Sequence, residues 1–169
     1  MTLILQAVLT ALSLSFALPG AAIAQETAPT EQNITAQETP WQVNCTPVAD
    51  GGGLNCSMVK SLILAQGEQV LAQAAVVQGD PLVLRILVPH GMALAEGLRL
   101  SVDGAEVAAP AFRTSVQGGA IAVTDITADL EAALRSGELL QIEGVQNNNN
   151  ALRLEMSLTG FSASIDKLR

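Results

Sequence analysis

Tyrosine is absent from this chain, which has one tryptophan, three phenylalanines, one histidine and two cysteines. So few aromatic rings force an aliphatic core of Leu, Val, Ile, Ala and Met, and weigh against a sugar-binding platform, which needs aromatic faces. One histidine, His90, and two cysteines far from it do not make a zinc site. Bases are scarce: eight Lys and Arg stand against sixteen Asp and Glu, a formal net charge of −8. A phosphate backbone needs cationic surface to release its counterions, so nucleic acid is disfavoured as a partner, and an anionic membrane surface for the same reason. The bland consequence of acidity is solubility. Beyond residue 24 no stretch is long and apolar enough to span a bilayer.

The apolar run that is present lies at the start. Residues 2–18 carry no charge, Pro19-Gly20 break any helix, and Ala22-Ile23-Ala24 puts small residues where a signal peptidase reads them. Residues 1–24 are therefore expected to be a signal peptide, cleaved between Ala24 and Gln25. The alternative is an uncleaved membrane anchor, since no Lys or Arg precedes the run. Residues 25–40 hold three Glu, no base and one isoleucine, too little apolar surface to order themselves, and read as a disordered linker. The remaining residues, 41–169, are enough for one domain with its own core.

Trp41, Val43 and Cys45 alternate on one face of a first strand, and Leu54, Cys56 and Met58 on the next, with Gly51, Gly52 and Gly53 turning between them. Both cysteines are expected to face inward, where cross-strand neighbours come close enough to bond. In an exported chain one disulfide, Cys45–Cys56, is the favoured pairing; free thiols or a bond to another chain are the alternatives. Residues 61–64 extend the second strand, 66–68 turn, 70–77 form the next strand, and Gln78-Gly79-Asp80-Pro81 turns again. The aliphatic run 82–88 predicts a central strand buried on both faces, with Arg85 snorkelling to an edge or pairing with an acid. Leu98, Leu100 and Val102 alternate into Asp103-Gly104, the strongest hairpin turn in the chain. Short strands follow at 106–109 and 120–124, with 111–114 extended and Gln117-Gly118-Gly119 as a turn. Thr127, the acids Asp129 and Glu131, Leu130 with Leu134, the Glu131/Arg135 pair and Gly137 predict one helix. Strands at 139–145 and 152–158 flank the Asn147–Asn150 loop, and Phe161, Ile165 and Leu168 sit at helical spacing. The sum is an all-β chain: an antiparallel β-sandwich of about nine strands with one or two short helices.

Chemistry is hard to find. His90 follows a proline and has no nearby nucleophile, and Gly-x-Ser-x-Gly, phosphate-cradling and HExxH patterns are missing. The carboxylate pairs Asp125/Asp129 and Glu138/Glu143 are explained by a helix start and strand edges. The Asn147–Asn150 tract lacks the carboxylates of a calcium site. The apolar stretch 92–98 is read as core packing ahead of a partner surface. No catalytic, cofactor or metal residue is assigned, and the chain is read as non-enzymatic.

Several segments then form a recognisable order: Trp41-Gln-Val-Asn-Cys45, Cys56-Ser-Met-Val-Lys60, Gly79-Asp80-Pro81-Leu-Val-Leu, Val88-Pro89-His-Gly-Met, Gly97-Leu-Arg-Leu-Ser-Val-Asp-Gly104, Ala111-Phe-Arg113 and Leu158-Thr-Gly-Phe161. Over about residues 41–168 the chain resembles the invasion-associated locus B family of proteobacterial exported proteins. The resemblance implies a periplasmic, outer-membrane-associated or secreted protein, linked to host invasion in pathogens, with no established catalytic residues. Such proteins often carry a second cysteine pair after the Phe-Arg; residues 114–120 have none here. The leading reading is an exported module that binds a protein or envelope component. A small-ligand or glycan-binding module is the alternative. An exposed aliphatic patch favours a protein partner, and a concave pocket with converging polar groups favours a ligand.

Closing a loop this short is expected to contribute about 3 kcal/mol on the chain-entropy account. Cys45→Ser, or reduction of the wild type, should thus clearly lower the thermal unfolding midpoint; an unchanged midpoint on reduction means no clip. Deleting residues 25–40 is expected to leave that midpoint nearly unchanged.

Overall fold

A computed structural model describes residues 36–49, 53–64 and 69–169. The expected signal peptide with its Ala24/Gln25 cleavage point, the linker up to residue 35, Gly51-Gly52 and the 66–68 turn lie outside the described residues. A seven-stranded sheet contains β1 (Ala36–Glu38), β2 (Gln42–Pro47), β3 (Leu54–Leu64), β4 (Val70–Val77), β5 (Val83–Val88), β8 (Ala111–Val116) and β9 (Gly119–Asp125). Its order is β1-β3-β4-β5-β9-β8, with β2 also paired to β3. A four-stranded sheet contains β6 (Leu98–Val102), β7 (Ala105–Ala108), β10 (Leu139–Val145) and β11 (Ala151–Ser157), in the order β11-β10-β6-β7. Every pairing is antiparallel. Helices α1 (Ala128–Ser136) and α2 (Phe161–Ile165) and a 3₁₀ turn (Asp166–Leu168) complete the chain. The expected antiparallel sandwich is the fold observed.

Period-two patterning places the core. Leu84, Ile86 and Val88 of β5 and Leu100, Ile142 and Met156 of the smaller sheet are all buried, and belong to one hydrophobic cluster between the layers. Local chemistry sets the turns. Asp103 and Gly104 both have positive φ, 50° and 85°, as a two-residue hairpin with primed geometry needs. The Asp103 carboxylate also accepts hydrogen bonds from the Glu138 and Leu139 backbone N–H groups, at 3.0 and 2.9 Å, and so fixes the start of β10. At Gly119 a Cβ would lie 2.0 Å from the Val88 carbonyl oxygen, so only glycine lets β9 start against β5. The helix at 128–136 is as expected: the Thr127 hydroxyl accepts from Leu130 N–H at 3.2 Å, Leu130 and Leu134 are buried, and Glu131 pairs with Arg135 at 2.7 Å. The terminal segment also holds, with Phe161, Ile165 and Leu168 all buried.

Two expectations are corrected and one is qualified. First, the sheet begins at Ala36, inside the stretch read as linker: Ala36, Gln37 and Glu38 pair with Leu64, Ile63 and Leu62 of β3. Thr39 Oγ1 accepts from Ser61 N–H at 2.9 Å, which extends the attachment to the next residue. Composition alone missed this because the ladder depends on a distant strand. Second, Cys45 shares the inward side with Cys56 but is not buried: it is exposed on the edge strand β2, while Cys56 is 6% exposed. The two residues are directly paired across β2 and β3, and the disulfide forms with Cα atoms 4.0 Å apart. Third, β5 is central but buried on one face. Val83, Arg85 and Leu87 point away from the core, and Arg85 is exposed with no ion pair among the described residues.

A chain beginning at residue 41 should therefore be less stable than one beginning at residue 36, in contrast to the expectation for the whole linker. Losing β1 with its carboxylate removes the partner of a buried charge, at a cost of about 3 kcal/mol. Urea denaturation of the two chains checks this; equal midpoints would show that β1 is not part of the stable body.

Candidate functional site

Lys60 is the one charged side chain buried among the described residues, 4% exposed. Its position on β3 follows from alternation: Cys56, Met58, Lys60 and Leu62 all fall on the inward parity. A buried ammonium needs partners that replace its water. Lys60 Nζ donates to the Ser157 carbonyl at 2.7 Å and pairs with Glu38 Oε2 at 2.8 Å. Glu38 Oε1 in turn accepts from the Ser157 backbone N–H at 2.9 Å. One side chain from β1 and one from β3 thus satisfy both backbone groups of the last residue of β11, and this joins the two sheets at their edges. Trp41 lies at the same end, edge-on to Phe161 of α2 with ring centroids 5.3 Å apart. This arrangement pairs the buried ammonium with one acid and the backbone of Ser157.

The outer faces of the two sheets differ sharply. On the smaller sheet a row of alternating charge crosses all four strands. Glu106 pairs with Arg99 at 3.0 Å, Arg99 stands opposite Glu143 in register, and Glu143 pairs with Arg153 at 2.8 Å. Gln141 donates to Glu155 in the next row at 3.2 Å. This is a solvated face. On the larger sheet the register aligns Val59, Ala75, Arg85 and Val123 in one row, Val77, Val83 and Asp125 in the next, and Gln73, Leu87 and Ile121 in a third. The seven aliphatic side chains here keep solvent exposure, and none belongs to the core or to the partly buried groups packed on it.

The other sequence candidates resolve as follows. His90 is exposed, and its Nε2 lies 3.2 Å from the Gln117 carbonyl oxygen. Met92 and Leu98 of the apolar 92–98 stretch are core, while Leu94 is exposed. Glu143 of the Glu138/Glu143 pair is bound to Arg153. Among the described residues no group of three or more His, Cys, Asp or Glu is placed to hold a metal ion. An open cleft of about 780 Å³ lies between the end of α1 and the start of α2, lined by Arg135, Gly137, Glu138, Thr159, Gly160 and Ala163. Its cation is already engaged: Arg135 bonds Asp166 and Glu131, and these hydrogen bonds hold its guanidinium above the ordinary value. Sequence reasoning missed Lys60, although a charge at an inward-facing strand position was a readable signal. It also missed the aliphatic outer face, because β5 was taken as covered on both sides.

Fold and surfaces define a two-layer antiparallel sandwich, clipped at its opening hairpin by a disulfide, with one charged and one aliphatic outer face. The chain belongs to the Invasion associated locus B (IalB) protein family, whose profile matches residues 41–169. It is similar to invasion protein B homologs from two Brucella abortus strains, 2308 and biovar 1 strain 9-941. Each is 30% identical over 140 residues, which is 80% of this chain and 80% of the relative. The crystal structure of invasion associated protein b from Bartonella henselae superposes with a TM-score of 0.68 at 27% identity, over 76% of this chain and 89% of that one. The family resemblance drawn from the residues therefore holds.

Glu38→Ala should destabilise the protein by about 3 kcal/mol, because it leaves a buried ammonium short of a partner. Lys60→Met combined with Glu38→Gln should cost less than Glu38→Ala alone, since no charge is then stranded. Denaturant titrations of these variants form the check, and a Glu38→Ala midpoint equal to wild type would remove Lys60 from the account.

Proposed function

We propose that this chain is an exported, non-enzymatic envelope protein, periplasmic or associated with the outer membrane, that works by binding another protein. The observation that carries the reading is the aliphatic outer face of the seven-stranded sheet. Val59, Ala75, Val77, Val83, Leu87, Ile121 and Val123 are only half-buried there, while the opposite outer face is tiled with paired charges. Exposed aliphatic area of this kind is stabilised when a partner covers it.

Export is supported by the uncharged leader ending in Ala22-Ile23-Ala24 and by the Cys45–Cys56 disulfide, a bond that persists in oxidising compartments. No helix among the described residues is long and apolar enough to cross a membrane. The relatives are named as invasion proteins, and an exported protein acts in invasion through contact. A non-enzymatic role fits a lone exposed histidine hydrogen-bonded to a carbonyl, and a buried lysine whose partners are structural.

Crosslinking and pull-down from the native envelope tests the reading. Leu87→Glu should reduce capture of the crosslinked partner by about tenfold or more, and Glu155→Gln on the charged face should leave it unchanged. Equal capture by wild type and Leu87→Glu would overturn the assignment of this face.

A further inference from the structure

The aliphatic face carries two charges of opposite sign, and neither has an ion-pair partner among the described residues. Arg85 on β5 and Asp125 on β9 are exposed, and neither side chain forms an ion pair among the described residues. The contrast with the smaller sheet is direct, since Arg99, Glu143, Arg153 and Glu106 on that outer face are all in ion pairs. Asp125 stands opposite Val83 in register, so Arg85 is its diagonal neighbour, about 7–8 Å away.

We propose that this face is self-complementary and is covered by a second copy of the chain, related by a two-fold axis that lies in the face and bisects the line from Arg85 to Asp125. The inference rests on the reading of this face as a protein contact. In a two-fold interface residue i meets residue j and j meets i. That axis sets Arg85 over the second copy's Asp125 and Asp125 over its Arg85, giving two equivalent ion pairs. The aliphatic rows of the two sheets then close on each other at the spacing of stacked sheets, about 10 Å.

Charge supports the same occupant. Two chains of net charge −8 repel each other over most of their surfaces. At this face the single Arg and single Asp cancel, so like-charge contact is least there. Four strands about 4.8 Å apart, with three outward positions on each, present about 400 Å² per copy, or about 800 Å² in total. That is smaller than a standard specific interface, so the dimer is expected to be weak and concentration-dependent, with a Kd in the micromolar range at the tightest.

Sedimentation velocity on the exported, leader-free chain, from about 5 to about 500 µM, tests this. Wild type should pass from monomer towards dimer. Arg85→Asp and Asp125→Arg should each weaken association at least about tenfold, and the double variant R85D/D125R should return to within about threefold of wild type. Leu87→Glu should keep the chain monomeric. All three positions lie on the outer face of the sheet, and circular dichroism melts confirm that each variant folds. A wild type that stays monomeric throughout, or a charge swap that fails to restore association, overturns the proposal. If wild type is monomeric but Leu87→Glu still abolishes envelope capture, the face remains a protein contact and only the second copy is wrong. If Leu87→Glu alters neither readout, both readings fall.

Discussion

The Lys60 ammonium, 4% exposed between two aliphatic sheets, has only the Ser157 carbonyl and the Glu38 carboxylate among the described residues to stand in for its water. That requirement reaches across the fold. It recruits β1, which is three residues long and lies ahead of the region matched by the family profile. It also fixes β11, whose terminal backbone groups are both taken up by the pair. Replacing such a pair with apolar residues is often neutral, so its worth lies more in where it pins the sheet edges than in net energy. The layers themselves are held by hydrophobic burial, which sets no registration of its own.

How much of this could be read from the chain depended on how local the cause was. Asp103-Gly104, the Thr127 cap and the helix after it came through because turn and cap chemistry act within a few residues. The disulfide pairing came through as well, since two cysteines in a hairpin leave little choice. Exposure of Cys45 did not, because whether a strand lies at an edge depends on the whole sheet. Strand β1 was hidden for a similar reason: its polar residues become ordered only against β3 and Lys60. The aliphatic run of β5 suggested cover on both faces, yet Val83 and Leu87 have exposure on the outer side. Hydrophobicity in sequence marks surface that gains from being covered, without saying what covers it.

The two outer faces differ in chemistry. Crossed ion pairs on the smaller sheet keep a half-exposed layer hydrated. On the larger sheet the outer face of β3, β4, β5 and β9 carries aliphatics with one base and one acid, and the terminal strand β8 is blunted by a register shift between Phe112 and Thr114. That blunting discourages edge-to-edge growth while leaving the flat face open. The hairpin of β8 and β9 is closed by a tight backbone approach at Gly119.

The T-shaped contact between Trp41 and Phe161 brings residues from opposite ends of the folded body against one another. Because Trp41 is the chain's sole tryptophan, and no tyrosine competes with it, near-ultraviolet emission from this protein comes from one indole at that seam. Fluorescence excited at its absorption edge is thus a label-free readout of whether the first strands and the last helix are together, and the chain carries its own optical gauge of closure.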